Sequence, residues 1–82
     1  MVRLHPHARA RAAERGATEE DVIATVDAGE RFTARLGRTG FRHNFAFGCH
    51  WRGKRYATKQ VEVYAVQEND EWLVITVLVK FF

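Results

Sequence analysis

Cysteine, proline and methionine each occur once in this 82-residue sequence. No apolar run reaches the roughly 20 residues that a helix needs to cross a bilayer. The lone Cys49 excludes an internal disulfide and a cysteine-rich zinc site, which makes a reducing cytoplasm the expected compartment. No charged, apolar and cleavable segment opens the chain, so neither secretion by a leader of its own nor a membrane partner is expected. Several catalytic signatures are missing too: HExxH, the GxSxG elbow, a phosphate-cradling glycine loop and a dinucleotide fingerprint. His5, His7, His43 and His50 show no metal-ligating spacing, so no metal and no cofactor is expected.

Lysine is also scarce. Arginine greatly outnumbers it among the 13 basic residues, which face 10 acidic ones, for a net charge of +3 and a pI near 9.5. A guanidinium forks onto phosphate through two hydrogen bonds and stacks on bases, so the bias fits an RNA or DNA partner. An acidic protein is attracted by the same charge. Apolar residues at 46% and aromatic residues at 12% are those of a folded chain, and the length suits a single domain over residues 1–82 with a modest core.

The periodicity changes once along the chain. Pro6 suits a first helical turn and Gly16 a left-handed stop, which predicts a helix ending after Arg15. Thr18 and Asp21 approximate a capping box for a second helix with Val22, Ile23 and Val26 as its apolar stripe and Gly29 as its stop. From Glu30 the period is two. Strands are predicted over Glu30 to Leu36, through Phe41, His43, Phe45 and Phe47, over Thr58 to Gln67 and over Trp72 to Phe82. Both faces of the last are apolar, which predicts a central position with neighbours on each side. The expected architecture is α+β, two N-terminal helices packed on one face of an antiparallel sheet of about four strands. Its exposed edge is a candidate seam for a homodimer.

On the first helix, Glu14, His7, Arg11 and Arg15 fall in order along one edge at about 100° per residue. An imidazole and two fixed cations in one column have the ingredients of an anion site; the same residues also make an ordinary solubilising surface on an alanine-rich helix. Between Gly48 and Tyr56, the residues Trp51, Arg52, Lys54 and Arg55 interleave cations with a large ring in what reads as a loop or hairpin tip. That composition suits single-stranded RNA, although Trp51 equally suits covering the end of the core. Lys59 is a second-rank candidate for the same role.

His7-Ala8, Arg11 and Glu14-Arg15-Gly16, followed by Thr18-Glu19-Glu20-Asp21-Val22 and by Val74-Ile75-Thr76-Val77, resemble a small bacterial family known as a domain of unknown function, with the signature HAxxRxxERG and a VITV strand. That family is usually grouped with RelE-like and barnase-like ribonuclease toxins. The resemblance implies a metal-independent endoribonuclease acting by 2′-hydroxyl attack, held in check by an acidic antitoxin. His7 would then move the proton, Arg11 and Arg15 clamp the phosphate, and Thr76 hold a phosphate oxygen or orient His7. Thr76 also has the plain reading of a β-branched residue filling a strand. The alternative function is a noncatalytic RNA- or protein-binding module working through Trp51, Arg52, Lys54 and Arg55.

Overall fold

A computed structural model describes residues 1–82. The chain runs β1 (Val2–Leu4), α1 (Pro6–Arg15), α2 (Glu19–Ala28), β2 (Glu30–Thr33), β3 (Thr39–Trp51), β4 (Lys54–Glu68) and β5 (Glu71–Phe81). The five strands form one sheet in the order β1-β5-β4-β3-β2.

The sheet corrects the expectation of four antiparallel strands. It is five-stranded and mixed, because β1 pairs in parallel with β5, Val2 to Leu4 opposite Trp72 to Val74. Three residues carry too little alternation to announce a strand. What makes β1 one is tertiary: Leu4 is buried, while Arg3 on the other face pairs with Glu71 at 3.1 Å and with Glu68 at 3.6 Å.

The two helix starts differ. α2 has the reciprocal box in full: the Asp21 amide donates to Thr18 Oγ1 and the Thr18 amide donates to Asp21 Oδ2, both at 3.0 Å. α1 is capped instead by an imidazole, His5 Nδ1 accepting from the His7 amide at 3.1 Å. Gly16 ends α1 at φ 90° and serves a second purpose. A Cβ there would lie 3.0 Å from Phe81 and from Trp51, which close over the end of the helix.

Both helices cover one face of the sheet. Val22 and Val26 of α2 meet Phe41, Val61, Val63 and Ala65, while Ala8 and Ala12 of α1 lie with Val74 and Val77 in the same core. The buried α1 residues are alanines, so this helix sits close to β5.

Three strand boundaries also differ from the sequence reading. β2 stops at Thr33 because Leu36 and Gly37 take φ of 60° and 71° and turn the chain back. Of the two readings of Gly48 to Tyr56, loop or hairpin tip, the second holds: β3 and β4 run through it to a two-residue turn, Arg52-Gly53, with φ of 51° and 83°. β5 is flanked on both sides only over Trp72 to Val74; from Ile75 onward its outer edge has no strand partner, and α1 lies beside it. Its alternation breaks as well. Tyr64 pairs with Thr76 and Ala65 with Val74, so Ile75 is an extra residue, a bulge. Both Val74 and Val77 therefore reach the core, although their spacing has the wrong parity for an uninterrupted strand.

Candidate functional site

The bulge and the early end of β1 leave a gap at the edge of β5, and α1 lies along it. His7, Arg11 and Arg15 from α1 and Ile75, Thr76 and Val77 from β5 line an open cleft of about 240 Å³. The helical repeat of 3.6 residues places positions 7, 11 and 15 in one column over roughly 12 Å of helix axis. The close α1 to β5 packing through alanine brings that column to the strand edge.

The three polar α1 residues are held differently. Arg15 is half-buried and donates from Nη1 to the Val77 carbonyl at 2.6 Å, using the outward-facing backbone that a neighbouring strand would otherwise pair. One bond fixes its orientation and leaves its remaining N–H groups to the cleft. Arg11 is exposed and reaches Glu14 Oε2 at 3.5 Å, a loose solvent-screened contact. The exposed His7 side chain carries no ion pair or hydrogen bond; its backbone amide alone is engaged.

Thr76 sits at the rim. Opposite Tyr64 in the register, its side chain belongs to the sheet face turned away from the helices, yet at the strand edge the residue also lines the α1 cleft. No hydrogen bond joins it to His7, so it does not orient the imidazole in this structure.

The hairpin-tip residues are largely engaged by protein. Trp51 stacks on Phe81 at 5.3 Å and 18°, abuts Gly16, and has the Arg52 guanidinium over its ring at 5.2 Å. Arg52 in turn donates to the Glu14 carbonyl at 3.0 Å, one of the unpaired carbonyls at the end of α1. These two residues tie the tip of β3 and β4 to the helix, which is the covering reading of Trp51. Lys54 lies over Tyr56 at 5.6 Å, and Arg55 is exposed.

Lys59 is 8% exposed and stands inside the fold. Its ammonium meets Asp21 Oδ2 at 2.6 Å and the Gly16 carbonyl at 3.3 Å, joining the start of α2 and the end of α1 to β4. Burial alone would raise the pKa of Asp21, but the hydrogen bond and charge of Lys59, with the Thr18 amide and hydroxyl, outweigh it and hold the carboxyl below its ordinary 3.8.

The residue pattern of a family described as a domain of unknown function, DUF4258, matches residues 4–79. This chain belongs to the DUF4258 family. The match takes in the whole α1 column, the hairpin and Thr76, so all the residues of the cleft lie within the family's domain. No curated protein and no solved structure matches the chain. No helix is long and apolar enough to cross a membrane.

Sequence reasoning passed over a second group, on the face of the sheet opposite the helices. Glu62 and Tyr64 alternate with the buried Val61, Val63 and Ala65 and so face away from the core. Arg42 pairs with Glu62 at 3.1 Å and lies over the Phe32 ring at 4.8 Å; Tyr64 donates to Glu62 and meets Phe32 edge to face at 6.0 Å. Burial opposes the charge on Glu62, yet the Tyr64 hydroxyl and Arg42 keep its pKa below the ordinary value, while the bond to Glu62 raises that of Tyr64 above 10.0. The signal was available in the β4 alternation, which places Glu62 and Tyr64 together, but nothing in sequence brings Phe32 and Arg42 to them.

Proposed function

We propose that this chain is a metal-independent endoribonuclease of the toxin-like kind, cutting at the cleft between α1 and the edge of β5. The observation that carries the reading is the convergence of one imidazole and two guanidinium groups on a single hollow, reached by residues four apart on one helix. The motif resemblance to RelE-like and barnase-like toxins points the same way.

In this mechanism His7 accepts the proton of a ribose 2′-hydroxyl as its oxygen attacks the adjacent phosphorus. Negative charge then grows on the phosphoryl oxygens. Arg15, pre-aimed by its bond to Val77, and Arg11, which swings from Glu14, meet that charge with fixed donors. Thr76 bounds the cleft at its rim, and its hydroxyl, on the other face of the sheet, has no part in this step. The bond to the 5′-oxygen breaks, the leaving oxygen takes a proton from water in the open cleft, and the hydroxide so formed takes the proton held by His7, which returns to its neutral form. The products are a 2′,3′-cyclic phosphate and a 5′-hydroxyl end. An acidic antitoxin that silences the enzyme has the same cations to engage.

The test is incubation of pure protein with RNA in the presence of a chelator, with the new ends mapped. Cyclic phosphate ends are expected, with the rate reduced about 100-fold or more in His7→Ala, the lower range for loss of a general base. Cutting that survives His7→Ala combined with Arg11→Ala overturns the site.

A further inference from the structure

On the face of the sheet away from the helices there is a hollow of about 470 Å³ that the proposed cleavage does not use. Phe32 and Tyr64 make its aromatic wall, Thr76 closes one side, and the turn after β2 supplies Arg35, Leu36 and Arg38 as its rim. The volume lies within the range of small-ligand pockets.

Three features suit it to a nucleotide. First, the wall is held in place before any ligand arrives. Phe32 lies flat against Gly40, its partner across the strands, where a Cβ would come within 2.8 Å of the ring's Cδ2 and closer still to its outer edge. Arg42 lies over the same ring and Tyr64 is anchored to Glu62. The two rings stand perpendicular, so a planar base stacks on one and meets the other edge-on, at little entropic cost because both are fixed. Second, Arg35 and Arg38 form no ion pair, whereas Arg42 beside them is neutralised by Glu62; the rim therefore offers two uncommitted guanidinium groups to a phosphate. The turn itself is set by two backbone bonds, the Ala34 amide to the Arg38 carbonyl at 3.1 Å and the Arg38 amide to the Arg35 carbonyl at 3.2 Å. Third, the hollow is not isolated. Thr76 lines it and the α1 cleft alike, on the stretch of β5 that has lost its outer neighbour. A strand lying over that edge reaches both hollows across the width of one residue.

We infer that this open-face hollow is a binding subsite for an unpaired nucleobase of single-stranded RNA, with the base against Phe32 and Tyr64, a phosphate on Arg35 and Arg38, and the chain continuing past Thr76 into the α1 cleft. The path through the cleft rests on the reading of that cleft as the cutting site; base capture in the hollow does not. Sequence preference at the position next to the cut is set here, by the fit of one base between a ring pair and Leu36, rather than by α1.

The test measures fluorescence anisotropy of a labelled RNA pentanucleotide made non-cleavable by a 2′-fluoro group at each position, at low salt. Variants are Arg35→Ala/Arg38→Ala, Tyr64→Leu and Arg11→Ala, and a second set of probes carries one abasic position. Loss of a stacked base weakens binding about tenfold or more. A loss of that size is expected from Tyr64→Leu and from one particular abasic position, together with a weaker salt dependence in the double arginine variant. Arg35 is exposed and Arg38 half-buried, and neither side chain bonds to the rest of the fold, so the double variant keeps the test decisive if Tyr64→Leu fails to fold. No binding by the unaltered protein, or binding that falls with Arg11→Ala but stays within twofold in the double arginine variant and with every abasic probe, overturns the subsite. Binding that depends on the hollow in a protein that cuts no RNA upholds the subsite and removes the nuclease.

Discussion

Lys59 and Asp21 offer the sharpest quantitative test of how this fold is held. Their charged groups are 2.6 Å apart, with side-chain exposures of 10% and 18%. Asp21→Asn keeps a side-chain oxygen for the Thr18 amide but removes the charge, leaving an ammonium among Phe45, Phe47 and the Gly16 carbonyl. An ion stranded by loss of its buried partner costs about 3–5 kcal/mol, and the residual access of water here reduces that to about 2–3 kcal/mol. Lys59→Met keeps most of the stem and leaves a carboxylate still served by the Thr18 amide, so about 1–2 kcal/mol is expected. The double variant strands neither charge. Its loss is expected to be smaller than the sum of the single losses by about 1.5 kcal/mol or more. Urea denaturation at pH 7, followed by tryptophan fluorescence with the m-value checked for constancy, reads all three. Single losses that add to within about 0.5 kcal/mol mean that the pair does not act as a unit and that Lys59 is free for another task.

Acid should act through the same carboxylate and through Glu62. Both have folded-state pKa values below their ordinary 3.8 and 4.5, so their stabilisation is complete above that range and is lost as pH falls through the lower folded values. The urea midpoint is expected to stay flat from pH 7 to pH 5 and to fall below about pH 4, with a shallower fall in the Asp21→Asn/Lys59→Met variant. Ala12→Leu places three extra carbons between α1 and β5 where 2% of the residue is exposed; a loss of about 1–3 kcal/mol is expected. RNA cleavage by that variant should drop further than its folded fraction, because the α1 column moves off the strand edge; cleavage in proportion to folded protein counts against the cleft. Gly29→Ala should cost more than about 2 kcal/mol, since the new Cβ would lie 2.7 Å from the Arg42 carbonyl oxygen and closer to that of Thr25, whereas Gly53→Ala, with nothing within 4 Å, should cost only the backbone strain of φ 83°, about 1 kcal/mol. Thermal melts of the two glycine variants side by side check this, and equal shifts refute it.

Local chemistry settled a good deal of this molecule in advance. Pro6 and Gly16 bound α1, Thr18 and Asp21 start α2, and the alternation of Val61, Val63 and Ala65 marks the buried face of β4, because capping, left-handed φ and side-chain period act between residues a few positions apart. The 7, 11, 15 column is likewise a property of any helix with that sequence. Contacts between distant parts of the chain decided the rest. β1 exists only because β5 and Glu68 and Glu71 receive it, 65 to 70 positions later, at the register Val2 to Trp72 and Arg3 to Leu73. Lys59 looks like a binding cation until Asp21 and the end of α1 close around it. The bulge at Ile75 turns Thr76 to the outer face while leaving it on the rim of the α1 cleft, and no count of alternating residues foretells a strand that changes parity halfway. Period and capping are short-range and can be read from the chain; the meeting of α1 with an unpaired strand edge is long-range, and only the folded packing creates it.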